Sequence, residues 1–396
     1  DAASRSNGVG GRTGENGKFV QTPDDPENKV IINDQRAYNP TEVNRFNTKT
    51  PGTDAAETTY IATVQTLKTH LITDTGYTSD DLPLTVARYD TRIDKPIVDD
   101  LSKGHRAALK GGRLYVGNVG ERTFLREVFQ KESIEAVIHF AAYSLVGESM
   151  DVPERYFRNN VTAGLSLIET MIEFQVPYLV FSSTAATYGE PEHIPIVETD
   201  RQLPTNPYGE SKLIVEHMLR WCDQAHGLKF CALRYFNVAG AWHDGSIGED
   251  HRPETHLIPV ILQVAQGKRE RLSLYGADYP TRDRTCVRDY IHVEDLIDAH
   301  LLALDYLKQG NPSAAFNLGN GQGFSNREII EAARKVTGHP IPVTEAPRRP
   351  GDPATLIASS RKATEVLGWQ PKYTNVEDII ASAWKWHSSH PDGYGG

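Results

Sequence analysis

The sequence predicts an α/β fold: a doubly wound parallel sheet followed by a smaller, loop-rich C-terminal region. Three observations predict it. From about residue 96, apolar strand-like runs alternate with helix-period segments, the pattern of parallel strands joined by crossover helices. The run Tyr178-Leu-Val-Phe-Ser-Ser-Thr184 reads as a buried strand ending in hydroxyls, and open α/β sheets bind ligands at the carboxyl ends of their strands. After Gly240 the alternation loosens, and stretches rich in Pro, Gly and Arg appear, such as Ala346-Pro-Arg-Arg-Pro-Gly-Asp352.

Residues 1–66 are rich in Asn, Thr, Asp and Gly, with brief apolar runs such as Val30-Ile-Ile32, and form an unassigned polar segment with the composition of poor order. Residues 67–240 form the sheet domain, to which later segments return, and residues 241–396 form most of the second region. Expected strands are Pro96-Ile-Val98, Arg113-Leu-Tyr-Val116, Ala136-Val-Ile-His-Phe140, Tyr178-Leu-Val-Phe181 and Lys229-Phe-Cys-Ala-Leu-Arg234. The apolar positions of Val161–Ile172 fit a helix packed on the sheet, with Gly164 as the one weak point in the pattern.

Composition narrows the function classes. A chain of 396 residues with 39% hydrophobic content can bury a sizeable core, and a net charge of −10 argues against a general nucleic-acid binder. No run of about 18 apolar residues is present and the amino terminus lacks a charged-then-apolar pattern, so neither a membrane span nor secretion by that route is expected. Cys222, Cys231 and Cys286 have no metal-ligand spacing and cannot all pair; they fit free thiols in a reducing cytoplasm. No metal site is assigned.

Tyr208-Gly-Glu-Ser-Lys212 carries the chemistry. A Tyr and a Lys four residues apart share one helix face, where an ammonium can lower a phenol's pKa. Such pairs are common on surfaces, but this one follows a strand that ends at Thr184. A strand-end Ser/Thr followed by Tyr and Lys from the next helix resembles the catalytic trio of the extended short-chain dehydrogenase/reductases. Five runs in order, His139–Ser149, Tyr156–Val161, Leu233–Asn237, Val287–Val293 and Phe316–Asn320, strongly resemble the UDP-glucose 4-epimerase family. With Asp100–Arg106, the likeness covers roughly three quarters of the chain.

The resemblance implies a Rossmann-like sheet with bound NAD, a UDP-hexose substrate and a homodimer built from two helices of each subunit, including residues 157–176 and 208–226. It implies that Tyr208 takes the O4 proton, that Lys212 lowers the Tyr208 pKa and holds the nicotinamide ribose, and that Thr184 bonds O4. Along NAD it places Gly76, Tyr77, Asp99, Asp100, Asn118, Val119, Phe140, Ala141, Ala142, Ser144, Asn160, Ser182 and Tyr235. Asp99, after Ile97-Val98, can accept from the adenosine ribose hydroxyls, whereas Asn118 stands where the family leads one to expect Asp.

Around the UDP-sugar the resemblance places Ser144, Thr184, Phe236, Asn237, Asn160, His256, Leu257, Ser273, Leu274 and Tyr275. The planar forks of Arg288 and Arg349 suit pyrophosphate oxygens, Asp352 suits the uridine ribose, and Leu356 walls the sugar's 2-substituent. Arg348, beside Arg349, is equally open to a surface ion pair.

The pattern departs at the glycine-rich turn. Leu71-Ile-Thr-Asp-Thr-Gly-Tyr-Thr-Ser-Asp-Asp81 stands where the first strand should open, with only Gly76 matching a fingerprint glycine; Asp74 adds negative charge and Thr75, Thr78 and Ser79 add Cβ atoms. Two other readings stay open. A nucleotide-sugar dehydratase would need an acid where Ala185-Ala186 stand, and a catalytically silent relative is favoured only by the altered turn.

Overall fold

The computed structural model describes residues 95–349 and 352–395, together with the backbone of three strands, Gly11–Thr13, Phe19–Gln21 and Thr59–Thr63. The chain divides into two units, Asp1–Glu57 and Thr58–Gly396. In the first, Gly11–Thr13 pairs antiparallel with Phe19–Gln21.

The second unit is built on a seven-stranded sheet. Its strands are β1 (Thr59–Thr63), β2 (Pro96–Asp99), β3 (Arg113–Val116), β4 (Ile134–His139), β5 (Tyr178–Ser182), β6 (Lys229–Tyr235) and β7 (Ala314–Leu318). Every pairing is parallel and the spatial order is 3-2-1-4-5-6-7. The chain reverses direction across the sheet between β1 and β4, and a crevice for a ligand opens at the carboxyl ends of such strands.

Three of the five expected strands, β2, β5 and β6, run one residue further, β3 is unchanged, and β4 starts two residues earlier but ends at His139, leaving Phe140 outside it. The first strand is a correction. The sequence reading puts it at Leu71–Thr73 and leaves residues 1–66 outside the sheet, but Thr59-Tyr-Ile-Ala-Thr63 holds the central position between β2 and β4. β-Branched and aromatic residues suit a pleated strand, and this run is hidden in sequence by its polar surroundings. The stretch Leu71–Asp81, with Gly76 and Tyr77, lies outside the described residues.

Side chains of the central strands alternate between two cores, as a period of two requires. Ile138, Val180, Cys231 and Leu233 face the helix Val293–Lys308, while Val137, Leu179, Phe181 and Ala232 face the helices Arg122–Lys131, Ala163–Glu173 and Pro207–His226. Both faces are thus covered, which is why the strands read as continuous apolar runs. Gly164 lies against the neighbouring helix, where a Cβ would meet Val215 at 3.4 Å, an ordinary contact.

Beyond β6, short strands form a second layer. Asn237–Ala239 pairs with Tyr290–His292, Leu272–Tyr275 with Val343–Ala346, and Val287–Arg288 lies between Phe324–Ser325 and Thr355–Leu356. A third core beneath them joins Ile258, Ile261, Leu272, Leu274, Ile329 and Ile379.

Candidate active site

Helix Pro207–His226 starts where the chemistry needs it. Asn206 caps it by accepting from the Gly209 N–H at 2.8 Å, Pro207 fits the first turn, and Gly227 closes the far end at φ 72°. A Cβ on Gly209 would meet the Ala186 carbonyl oxygen at 2.5 Å, so glycine lets the helix start abut the turn that follows β5. Tyr208 is thereby brought to Thr184.

The Thr184 hydroxyl stands beside the Tyr208 phenol. Burial raises that phenol above its ordinary value, and the Thr184 hydroxyl pulls in the opposite direction. Lys212 is buried; its Nζ donates to the Ser182 carbonyl at 2.9 Å and lies 5.0 Å from the centre of the Phe181 ring. Burial is the largest influence on this phenol, and the Lys212 ammonium is hydrogen-bonded to the Ser182 carbonyl two residues before Thr184.

Behind these groups runs a buried network. Ser183 donates to Glu216 at 2.6 Å, and Arg234 donates to both Glu216 oxygens, at 3.0 and 2.6 Å. Arg234 also donates to the Tyr188 hydroxyl at 2.8 Å, which donates to Asn317 at 2.7 Å. Glu216 lies on the helix of Tyr208 and Arg234 on β6, so the charge pair ties the helix to the sheet one residue from Thr184. Sequence spacing gave no signal for it.

On the side expected to face a dinucleotide, the carboxyl end of β2 carries Asp99. It is buried, accepts from the Leu101 N–H at 2.6 Å, and has its carboxyl raised to about 6 by burial, with the Leu101 bond opposing and Asp100 adding to the rise. Asp100 is exposed and caps Ser102. Asn118 is exposed and its amide oxygen accepts from Gly120 N at 2.7 Å; Val119 is buried. After β4, Phe140 and Ala142 are buried, Ala141 is half-buried and Ser144 is exposed. Ser182 shares a short hydrogen bond with Tyr235.

Asn160 differs from its expected role. Its oxygen accepts from Tyr143 N at 2.8 Å and from Asn159 at 3.1 Å, while its nitrogen donates to the Tyr143 carbonyl at 3.0 Å and to Ser211 at 2.9 Å. That exhausts a carboxamide's two acceptor and two donor places, so Asn160 clasps the loop after β4 to the Tyr208 helix.

The residues expected at the UDP-sugar stand on the short strands. Arg288 is paired with Asp352, and Arg349 lies 4.1 Å over the Tyr275 ring. Asp352 is thus engaged by an arginine. Arg348 makes the surface pair, with Asp278 at 2.7 Å. Ser273 and Tyr275 are exposed, but Leu274 points into the third core, because alternate residues of a strand face opposite ways. Leu274 therefore offers a ligand only its backbone. Phe236 and Leu356 pack against Ala185, Tyr188 and Ile196, next to Thr184. Asn237 opens its short strand, and His256 caps the helix Leu257–Ala265 without a side-chain bond.

One grouping escaped the sequence reading, which sought metal ligands among cysteines. Glu249, His251, Glu254 and His256 bring four ligand atoms within 4.8 Å of one another. The spacing Glu-x-His-x-x-Glu-x-His was the available signal.

Comparison with known proteins gives a consistent picture. A family model described as GDP-mannose 4,6 dehydratase matches residues 82–382. The UDP-glucose 4-epimerase of Streptococcus mutans serotype c is 62% identical over 300 residues, covering 75% of this chain and 90% of the relative. A crystal structure of a UDP-glucose 4-epimerase superposes with a TM-score of 0.79 at 50% identity, covering 85% of this chain and 100% of its own. The enzyme from Bifidobacterium longum, solved with NAD+ and UDP, gives 0.77 at 35% identity, covering 85% and 100%.

Proposed function

The chain belongs to the UDP-glucose 4-epimerase family, and from that premise we propose that it interconverts UDP-glucose and UDP-galactose by inverting C4 of the hexose. The observation that carries this reading is the juxtaposition of Thr184 and Tyr208, with buried Lys212 one helical turn on and bonded to the Ser182 carbonyl, at the carboxyl edge of a parallel sheet.

NAD fits the residues present. Asp99 is a buried carboxylate at a strand end whose only described hydrogen-bond donor is the Leu101 N–H, which leaves acceptor capacity for the hydroxyls of an adenosine ribose. Ser182, Lys212 and Tyr235 supply polar groups at the ends of the neighbouring strands. When bound, the cofactor supplies the hydride acceptor at C4 and, once reduced, the donor.

Tyr208 accepts the O4 proton and returns it, with the Thr184 hydroxyl beside the same phenol and so able to hold O4. Lys212 brings a fixed positive charge to the pocket. Arg288 and Arg349 hold the pyrophosphate, which requires Arg288 to exchange Asp352 for phosphate oxygens. Leu356, packed beside the Thr184 turn, bounds the sugar.

The dehydratase reading fails at the positions after Thr184. Ala185 and Ala186 carry methyl groups, which cannot protonate a departing C6 hydroxyl. We further propose a cytoplasmic homodimer; the three cysteines are unpaired, and Trp221 and Leu165 are 70% and 40% exposed on the two helices expected at the interface. Among the described residues no helix is long and apolar enough to cross a membrane.

The test is an assay on purified protein with no added cofactor. Conversion of UDP-galactose, with NAD released on denaturation, is the expected result. Protein that releases no dinucleotide and stays inactive with added NAD would refute the proposal.

A further inference from the structure

The loop between Gly248 and Leu257 carries a second arrangement; Glu249, His251 and Glu254 have no part in the proposed epimerisation, and the fourth member, His256, is also expected at the UDP-sugar. His251 Nδ1 lies 3.0 Å and His256 Nδ1 2.8 Å from the same Glu249 oxygen. The same two nitrogens lie 3.5 and 3.2 Å from the two Glu254 oxygens. The carboxylates are almost wholly enclosed, with side chains 4% and 2% exposed. Both Nδ1 atoms are also sealed from solvent, yet neither is aligned for a hydrogen bond. Two enclosed carboxylates need compensating charge, and two enclosed imidazole nitrogens need a partner.

From this geometry we propose that Glu249, His251, Glu254 and His256 form a binding site for a divalent cation of the zinc class. Imidazole nitrogen and carboxylate oxygen are ligands such ions take in tetrahedral sets of four. Bond lengths of about 2.0–2.2 Å set the edges of that tetrahedron at roughly 3.3–3.6 Å. The His–carboxylate separations of 2.8–3.5 Å need small outward movements to reach these values, and the wider separations in the group, within 4.8 Å, must close on the ion. With both imidazoles neutral, two carboxylates balance the charge of the ion, and the four ligands close the site in the manner of structural zinc. A cavity of about 380 Å³, lined in part by Glu249, His251 and Glu254, gives the ion a route in.

The cation clasps the loop that leads into helix Leu257–Ala265, so its effect is on stability and on the position of that helix start. The rival arrangement is an ion-pair cluster of two imidazolium rings with two carboxylates.

The full-length, untagged protein is treated with a chelator, dialysed and titrated with Zn2+ against a chromophoric competitor. Binding of about one equivalent per chain is expected, with a rise in Tm on adding the ion. His251→Ala and Glu254→Gln, each checked for folding by circular dichroism, should weaken binding by on the order of 100-fold and abolish the Tm rise. Using two variants keeps the test open if one fails to fold. Wild-type protein that binds no more Zn2+ than a buffer blank overturns the proposal in favour of the ion-pair cluster. Wild-type affinity in a folded variant overturns it as well.

Discussion

Two arginines show how differently the two sides of the site are made. Arg234 is 6% exposed and has its guanidinium shared between Glu216 and Tyr188, in a network that reaches Ser183 beside Thr184. Arg349 is exposed and stacked on Tyr275, three residues before Asp352 in the sequence. The first region is fixed before any ligand arrives, as proton transfer over hydrogen-bond distances requires. The second holds charges that must exchange partners, since Asp352 occupies the fork that a pyrophosphate would take. In the proposed function, catalysis thus sits on the buried sheet edge and recognition on the short outer strands.

The largest expected effect is on the rigid side. Tyr208→Phe keeps the ring and removes the hydroxyl, so kcat should fall by about 10²–10⁴-fold with little change in UDP-sugar affinity. Steady-state kinetics with UDP binding by calorimetry check it. Near-normal turnover would remove Tyr208 as the base.

The arginines give the next contrast. Arg234→Met leaves Glu216 buried without its partner and should cost about 3–5 kcal/mol in urea unfolding. Arg349→Met should shift stability by less than about 0.5 kcal/mol while weakening UDP binding. Equal effects on stability would break the comparison.

Asp99 supplies a pH test. Its folded value of about 6 lies above its ordinary 3.8, so the fold holds this proton more tightly than the unfolded chain does. The sign follows: between about pH 4 and 6 the native state binds more protons, and stability falls as pH rises. In dinucleotide-free protein, Asp99→Asn should gain on the parent across that window, by ~2–3 kcal/mol in all, and hold the gain above it. A constant difference from pH 4 to 7 would place Asp99 in an ordinary solvated setting.

The smallest effect is at Leu356. Leu356→Ser should raise the ratio of UDP-N-acetylhexosamine to plain UDP-hexose turnover by on the order of tenfold, since a pocket that gains a few methylene volumes discriminates by ~1–3 kcal/mol. An unchanged ratio would show that Leu356 does not bound the sugar.

What was legible in the sequence follows from how local each signal is. β5 and β6 announce themselves by apolar runs and the helix of Tyr208 by its Tyr–Lys spacing, all within a few residues. The central strand Thr59–Thr63 was missed because five residues in a polar stretch carry too little pattern, and its identity comes from pairing with Ile97 and Val137 far along the chain. The pair Glu216–Arg234 joins two elements and leaves no spacing to read. The alternation of Leu272 and Leu274 with Ser273 and Tyr275 marks the Leu274 side chain as core, which leaves its backbone for a ligand. Asn160 was placed at the ligand because its partners Tyr143 and Ser211 become neighbours only in the fold.

The central claim is that the hydrogen leaves C4 as hydride and returns to the same carbon. UDP-galactose carrying deuterium at C4 tests it directly, with the UDP-glucose product analysed by mass spectrometry and NMR in ordinary water. The account predicts product that retains the deuterium at C4, with none exchanged into solvent. Product that has lost the label to water would mean that C4 is inverted by deprotonation, and would contradict it.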